Sequence, residues 1–332
     1  MSATLLNAVW QGLIILVGGT FLGMIYKGLD RKLAAQMQGR IGPPLRQPFF
    51  DVVKLMVKEN VVPDHAVAWL FNLMPLVSLA AVGTLLFYLP LGGFEPLLGG
   101  FGDLILILYL LAVPSLAMVL GGFAAGSPFA TVGAQRELVM MMAYEFPLAI
   151  TLLSLGWYLS SVMPGAQVFS LTVLASNPLW GLVGPLGFIG LLLLFCALMI
   201  VTPAELTKIP FDIPEAETEI AGGILAEYSG RNMAMFYLAD AIKMVVMGSL
   251  TVALFFPYGL SGLLGVTGGI WGSVIDVAFY LVKVFVVIFF AVIVVRVAFA
   301  RLKIGQAARL FWLPITGISL LGMVLLMLDR IV

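Results

Sequence analysis

A cluster of acidic residues stands between two apolar stretches of the sequence. Residues 208–230 read KIPFDIPEAETEIAGGILAEYSG and carry five carboxylates. Carboxylates crowded into a poorly solvated place repel one another, so that some of them keep a proton near neutral pH. Acids coupled in this way can take up a proton and hand it on when a nearby charge changes. The five are Asp212, Glu215, Glu217, Glu219 and Glu227.

The prolines of this stretch predict its local structure. Pro210 and Pro214 interrupt the preceding helix, so the chain between them is predicted to turn or to re-enter the membrane. Glu215 and Glu219 are four residues apart and are predicted to share a helix face, with Glu217 roughly opposite. The alternative is a solvated acidic loop. The apolar residues that favour a packed helix instead are Ile213, Ile220, Ile224 and Leu225.

Two further acids fall within apolar sequence. Glu137 and Glu145, in QRELVMMMAYEFP, are eight residues apart, which is about two helical turns and one face. Ionisable groups inside a membrane are costly and are usually functional. The pair is therefore predicted to form two stations of a proton path. The alternative places Glu137 at the water interface and only Glu145 inside.

Two acid–lysine pairs follow later in the chain. Asp240 and Lys243, in YLADAIKM, are helical neighbours that form either a static buried pair or a switch whose proton affinities depend on nearby charges. Asp276 and Lys283 are seven residues apart, on roughly one side of a helix. For them a snorkelling or paired structural role is expected.

The elements that hold these residues are predicted from composition. The sequence is 62% apolar and only 10% charged, whereas soluble domains are about half apolar and about a quarter charged. Its apolar runs are long and continuous, which predicts an all-α integral membrane protein rather than a barrel. The eight predicted spans are 6–28, 69–90, 103–124, 141–162, 184–204, 233–256, 271–297 and 310–328.

The chain, residues 1–332, is predicted to be a single polytopic membrane domain. Loop 1, at about 30–68, is too short for a separate soluble domain, and loop 5 is the acidic stretch at about 205–232. The first apolar run has no preceding basic region and no evident cleavage site, so we expect a retained helix rather than a signal peptide.

Loop 1 contains an amphipathic pattern in LRQPFFDVVKLMVKEN, preceded by the proline-rich turn QGRIGPPLRQP. This pattern predicts a cytoplasmic interfacial helix that either anchors in lipid or forms a docking surface. Its polar residues are Asp51, Lys54 and Lys58. Its apolar face is Phe49, Val52, Val53, Met56 and Val57.

Basic residues orient the predicted helices. Loops 1, 3, 5 and 7 carry fourteen of the seventeen lysines and arginines. The positive-inside rule therefore places those loops in the cytoplasm and both termini outside. The basic residues of loop 1 act as orientation signals and lipid contacts, and nucleic acid is not expected as a partner.

The sequence also excludes several kinds of cofactor site. Cys196 is the only cysteine, and iron–sulfur clusters usually need four thiolates. His65 is the only histidine, so a histidine metal site or a bis-histidine haem is not expected. Neither a phosphate loop nor a dinucleotide fingerprint is present. We expect no cofactor in this chain, and any electrons would travel in a partner.

Three stretches together resemble one family. DRKLAAQMQGRIGPP at 30–44, RELVMMMAYEFPLA at 136–149 and ELTKIPFDIPEAETEIAGGILAEYSG at 205–230 resemble the heel subunit of respiratory complex I. The family is shared with membrane-bound, energy-converting nickel–iron hydrogenases and their sulfur-reducing relatives. The resemblance implies eight helices beneath a peripheral arm, in a non-catalytic subunit of an oxidoreductase complex.

The resemblance implies roles for particular acids. Glu205 and the four glutamates of loop 5 match the path that leads from the arm into the membrane, while Glu137 and Glu145 match mid-membrane acids. Asp240 stands where a glutamate is usual. The relay residues predicted for proton transfer and coupling are Glu137, Glu145, Glu205, Asp212, Glu215, Glu217, Glu219, Glu227, Asp240 and Lys243.

The arm-facing surface carries two departures from the complex I pattern. Gly42-Pro43-Pro44 replaces G-P-N, and Thr207-Lys208-Ile209 replaces T-N-R. Both favour the hydrogenase-type branch, in which no quinone enters. Asp30 replaces a usual glutamate. The predicted interface residues are Asp30, Arg31, Lys32, Arg40, Gly42, Pro43, Pro44, Arg46, Lys208 and Phe211.

The resemblance implies partners in a prokaryotic plasma membrane. They are cytoplasmic hydrogenase-like large and small subunits, which would hold iron–sulfur clusters and a nickel–iron centre, and antiporter-like membrane subunits. One alternative is a quinone-binding heel subunit of complex I type. The others are a stand-alone secondary transporter, although no inverted repeat is visible, and a purely structural anchor.

Overall fold

A computed structural model describes residues 2–163, 169–262, 264–265 and 269–331, with side chains from residue 6 onwards. Within these ranges the chain is helical, with no regular strand. In this described part of the chain, eight helices are long and apolar enough to cross a membrane, which confirms the predicted fold class. They are Leu6–Met37, Ala68–Tyr88, Leu104–Ala124, Pro128–Val162, Pro185–Glu205, Gly230–Phe255, Gly269–Ala298 and Ile304–Ile331.

The helices are numbered in chain order. Wide π-helical turns at Phe289–Val294 and Phe311–Ile315 continue two of the spans, and Pro314 lies inside the second turn, where the regular hydrogen-bond ladder is broken. The helices are α1 Ser2–Met37, α2 Gln47–Val57, α3 Ala68–Tyr88, α4 Leu104–Ala124, α5 Pro128–Val162, α6 Leu171–Ser176, α7 Pro185–Glu205, α8 Glu217–Ile220, α9 Gly230–Phe255, α10 Gly269–Ile288, α11 Val295–Ala298, α12 Ile304–Leu310 and α13 Thr316–Ile331.

Helix α5 begins earlier than the predicted span 141–162. Its first residue is Pro128, a residue type that suits the first turn because its missing N–H has no helical partner there. The charged residues Arg136 and Glu137 indicate a loop, yet the helix runs through them. Helix α1 likewise continues to Met37, beyond the predicted end at residue 28.

Helix α9 is the centre of the bundle. In the 18-residue apolar window of α9, 89% of the residues are buried, against 17–56% in the other spans. Small residues such as Ala239, Ala241 and Gly248 let neighbouring helices approach its backbone closely. Helices α1, α2, α3, α7 and α10 pack against it. Lys243, an ionisable residue of α9, is buried among these helices, at 6% exposure.

The amphipathic helix predicted in loop 1 is α2. The Phe49 ring lies 5.3 Å from the ring of Phe21 on α1, and this contact holds α2 against the bundle. Val53, Met56 and Val57 remain 62%, 56% and 84% exposed. Apolar side chains left uncovered at the end of a membrane bundle suit a helix lying in the interface.

The acidic stretch is not one packed helix. It forms short turns at Ile213–Glu215 and Gly223–Leu225, with α8 between them. Ala216 is extended, and Ala221 takes a left-handed conformation at φ 50°. The prediction that Glu215 and Glu219 share a helix face is therefore wrong, because the extended residue between them ends one helical turn before the next begins.

These turns pack tightly onto α5. Ile220 and Ile224 are buried, at 6% and 0% exposure. A Cβ atom added at Gly133 would lie 2.5 Å from the Ile224 nitrogen and 2.9 Å from the Pro214 carbonyl oxygen. The absent side chain of Gly133 thus allows loop 5 to contact α5.

Replacing this glycine should loosen loop 5. We expect Gly133→Ala to destabilise the protein by about 1–3 kcal/mol, because the methyl group would meet backbone that cannot move freely. Gly317→Ala is the matched control, since a Cβ there meets nothing within 4 Å in the same kind of helix, and it should stabilise by about 0.5–1 kcal/mol. Thermal denaturation in detergent measures both, and equal melting temperatures for the two variants would contradict the close packing.

Candidate functional site

One cluster of charges surrounds Asp240 on α9. Its carboxylate accepts hydrogen bonds from Lys27 Nζ at 2.6 Å and from Lys208 Nζ at 2.8 Å. Lys27 comes from α1 and Lys208 from loop 5, so Asp240 joins three separate parts of the chain. Of the two alternatives for Asp240 and Lys243, the static pair is wrong, because both side chains have partners on other elements.

An aromatic residue extends the Asp240 cluster toward α2. Lys27 Nζ lies 3.4 Å from the centroid of the Tyr237 ring, a cation–π contact. The Tyr237 hydroxyl is 3.5 Å from Asp51, which also binds Arg31 at 2.8 Å. These contacts link the amphipathic helix to the central helix through charged groups.

Glu215 of loop 5 interacts electrostatically with the residues of this cluster. Burial raises the pKa of Glu215 to about 7, an effect that Lys208 opposes and Asp240 supports. Burial lowers the pKa of Lys208, but the adjacent Asp240 carboxylate outweighs it and leaves that pKa raised. A carboxyl group with a pKa near 7 changes its charge in response to a small change in local potential.

A second set of residues crosses four helices. Lys243 Nζ on α9 lies 2.8 Å from Glu205 Oε1 on α7 and donates to Ser115 Oγ on α4 at 3.2 Å. Ser115 Oγ is 3.1 Å from the Tyr144 hydroxyl on α5, which donates to Glu137 Oε1 at 3.5 Å. We call these five residues the buried row. Its hydrogen bonds can all point the same way, from Lys243 to Glu137.

Glu137 lies at the inner end of the buried row. It has 0% exposure, and its Oε2 atom has no hydrogen-bond partner among the described residues. The alternative that places Glu137 at the water interface is therefore wrong. Glu145 is half-buried and outside the row, although its Oε1 atom is likewise buried without a described partner.

A cavity of about 340 Å³ connects the Asp240 cluster with the buried row. Its lining includes Lys208, Asp240 and Glu215 from the cluster and Glu205 and Lys243 from the row. A cavity of this size with several polar partners is roomy enough for water, which can carry protons between the groups. Among the described residues, no three histidine, cysteine or acidic side chains form a metal site.

The other acids of loop 5 have local partners or face solvent. Asp212 Oδ2 binds Arg301 at 2.7 Å, and burial, opposed by this arginine, raises the pKa of Asp212. Glu219 binds Arg136 at 2.6 Å. Glu217 is exposed and lines the cavity, and Glu227 is half-buried away from it.

The predicted arm-facing residues divide into surface and interior positions. Asp30 and Phe211 are only 2% and 3% exposed. Asp30 binds Arg296 at 2.7 Å, and Phe211 packs its ring 5.0 Å from that of Phe311, so neither is available for a partner. The residues left partly or fully exposed are Arg31, Lys32, Arg40, Gly42, Pro43, Pro44, Arg46 and Lys208.

Several residues of the site are not predicted by the sequence. Lys27 counts there only as a basic residue of loop 1, although its position inside a predicted span is a signal that it needs an acidic partner. Ser115 and Tyr144 are uncharged and give no signal in an apolar helix. Arg296 and Arg301 bind acids more than 80 positions away, which no local pattern indicates.

Asp276 and Lys283 do not bind each other. Asp276 accepts hydrogen bonds from the Ser261 hydroxyl at 2.6 Å and from the Leu260 nitrogen at 2.8 Å. Lys283 donates to the carbonyl oxygens of Phe256 and Tyr258, both at 2.7 Å. Each side chain thus fixes the loop between α9 and α10, a structural role without the predicted pairing.

Comparisons with known proteins agree with this architecture. Residues 10–327 match the family model described as NADH dehydrogenase. Hydrogenase-4 component C of Escherichia coli (strain K12) is 37% identical over 76% of this chain and 75% of that protein. A subunit of the NADH-quinone oxidoreductase of Geobacillus sp. (strain WCH70) is 31% identical over 97% of this chain and 96% of that protein.

A solved structure has the same fold. It is a chain of the membrane-bound sulfane sulfur reductase, described as an archaeal respiratory membrane complex, with a TM-score of 0.82 and 31% identity. The match covers 96% of this chain and 99% of that one. The chain therefore belongs to the NADH dehydrogenase family and is a multi-pass membrane subunit that functions with partner subunits.

Proposed function

We propose that this chain anchors the cytoplasmic arm of a redox-driven ion pump and carries the coupling signal from that arm into the membrane. The observation that supports this most directly is the cavity of about 340 Å³, which connects the Asp240 cluster with the buried row. Ionisable groups buried within a membrane-spanning bundle cost free energy, and such groups usually mark an ion or proton pathway.

The coupling starts in loop 5. A change of charge at the base of the arm shifts the protonation of Glu215, whose pKa of about 7 makes it sensitive. Gain or loss of that charge changes the electrostatic interaction of Asp240 with Lys27 and Lys208. Lys243, which lines the same cavity, then shifts between Glu205 and Ser115. Tyr144 passes the change to Glu137, which hands it to a neighbouring membrane subunit.

The proposed partners follow the hydrogenase-type branch. The arm consists of hydrogenase-like large and small subunits, which hold iron–sulfur clusters and a nickel–iron centre, and antiporter-like subunits lie beside this chain in the membrane. Loops 1, 3, 5 and 7 face the cytoplasm of a prokaryote, with both termini outside. The similarity to hydrogenase-4 component C supports this branch.

A second candidate is a quinone-binding heel subunit of complex I type. It is favoured by the near-complete coverage of the NADH-quinone oxidoreductase subunit from Geobacillus sp.. It is also favoured by the apolar end of the cavity, which Met118, Met233 and Phe236 line. Ligand sites of this mixed kind, mostly apolar with a few polar groups, bind small molecules.

Purification through a tag on this chain separates the two candidates. The complex is extracted in gentle detergent, and its metals, flavin and quinone are measured. Nickel with abundant iron supports the hydrogenase arm, and hydrogen evolution should follow. Iron without nickel, together with flavin and quinone, supports the second candidate. A lone chain without metal would overturn both proposals and favour a stand-alone transporter.

The protonation of Glu215 provides a pH-dependent test. Its raised pKa means that the folded protein binds one more proton than the unfolded chain between about pH 4.5 and about pH 7. This group's contribution to stability therefore falls as the pH rises through that window. Infrared difference spectra should show carboxyl absorbance that titrates near pH 7 and loses intensity in Glu215→Gln.

Glu227→Gln is the control for this titration, because Glu227 lies outside the cavity. That variant should keep the band. Unchanged intensity of this band in Glu215→Gln, or a Glu215 band that titrates near pH 4.5, would contradict the assignment.

A further inference from the structure

Two adjoining cavities lie at the end of the bundle opposite loop 5. The segment that follows α3 borders both of them, and α3 begins beside loop 1, so this segment lies on the far side of the membrane. The first cavity, of about 510 Å³, is apolar, and the second, of about 250 Å³, is more polar. They adjoin each other, because Phe94, Glu95, Pro96 and Tyr280 line both.

The apolar cavity is a groove between α1 and α10 that opens toward the membrane. Ile14 on its rim is 69% exposed. A Cβ atom added at Gly18 would meet nothing within 4 Å, so the groove is open there. Leu86 and Val284 line its inner wall. An apolar groove of this kind offers a hydrocarbon chain more contacts than a flat helix surface does.

The polar cavity presents groups of both charges. Lys283 donates to two carbonyl oxygens, and an ammonium group has three donors, so one N–H remains for a ligand. Glu95, which also lines this cavity, is exposed. The Thr172 hydroxyl is buried in the wall without a partner among the described residues. Asp276 also lines the cavity, but its carboxylate already accepts from Leu260 and Ser261.

We propose that the adjoining cavities bind one phospholipid with a zwitterionic, ethanolamine-type headgroup. Its hydrocarbon tail lies in the groove past Gly18. Its phosphodiester oxygen accepts from Lys283, and its ammonium group binds Glu95. Charge complementarity selects this occupant, because a neutral or purely anionic lipid leaves the Glu95 carboxylate without a cation.

The test uses the intact complex in nanodiscs that contain a trace of photoactivatable phosphatidylethanolamine. After illumination, the labelled peptides of this chain are quantified by mass spectrometry. We expect labelling on α1 near Gly18, and at least a fivefold loss of it in Gly18→Phe, which fills the groove. Gly317→Phe, at an equally open glycine on α13, should label as the wild type does.

The headgroup is tested by competition with unlabelled lipids. Phosphatidylethanolamine should displace the probe at least fivefold better than phosphatidylglycerol does, and Glu95→Gln should remove that preference while keeping the labelling. Equal labelling of Gly18→Phe and wild type would overturn the proposal. So would a probe that added quinone displaces and unlabelled phosphatidylethanolamine does not.

Discussion

Asp240→Ala is expected to destabilise this subunit by about 3 kcal/mol, because it leaves two ammonium groups without their shared carboxylate. Lys27 and Lys208 are both within 2.8 Å of Asp240, and Lys27 is only 7% exposed. The loss should appear as a fall of several degrees in the melting temperature and as reduced retention of the cytoplasmic arm, because Lys208 holds loop 5 through this contact.

A variant without the charges tests the cause. Lys27→Met/Lys208→Met/Asp240→Leu replaces all three charged groups by apolar ones of similar size and should regain most of the stability, because no buried charge remains unpaired. It should not regain ion translocation. If Asp240→Ala melts at the wild-type temperature, the two lysines do not depend on Asp240.

Lys243→Gln should have the largest effect within the buried row. Glu205 is 2% exposed, and Lys243, itself 6% exposed, is the cation beside it. Removing one partner of a buried pair costs about 3–5 kcal/mol. We therefore expect poor assembly, and at least a tenfold loss of ion translocation in the complexes that do assemble.

The double variant Lys243→Gln/Glu205→Gln separates stability from coupling. Neither member of the pair is charged in it, so it should assemble far better than Lys243→Gln alone, a non-additive result typical of residues in contact. Its ion translocation should stay at least tenfold below wild type. Wild-type translocation by the double variant would mean that the pair serves assembly alone.

The fold was predictable because membrane insertion leaves a strong signal. Eight long apolar runs predicted eight spans, and the amphipathic pattern in loop 1 predicted α2. The beginning of α5 was not predictable in the same way, since Arg136 and Glu137 interrupt the apolar pattern although the backbone remains helical. Hydropathy indicates which helices can face lipid. It does not identify charged residues that neighbouring helices shield from lipid.

The acids of the site were predictable, but their partners were not. Spacing along one helix predicted that Asp240 and Lys243 face each other. The bundle instead brings Lys27 and Glu205 to them from helices far away in the sequence. Ionic contacts in a membrane protein form wherever packing places opposite charges at the same level of the bundle. A single sequence does not show which residues of different helices share a level.

Two uncharged residues illustrate the remaining gap. Ser115 and Tyr144 connect Lys243 with Glu137. The hydroxyl of a serine or threonine in an apolar helix more often donates to a carbonyl oxygen of its own helix, as Thr151 does to Pro147 at 2.8 Å. Only the arrangement of α4, α5 and α9 shows that Ser115 bonds between helices, whereas Thr151 bonds within its own helix.

The measurement that tests the central claim most directly is the number of ions translocated per electron by the intact complex in proteoliposomes. Glu137→Gln removes the acid at the inner end of the buried row but keeps its shape, and Glu227→Gln is the matched control at a half-buried position of loop 5. Our account predicts that Glu137→Gln transfers electrons while its ratio falls at least tenfold, and that Glu227→Gln keeps the wild-type ratio. An unchanged ratio in Glu137→Gln would show that coupling takes another route.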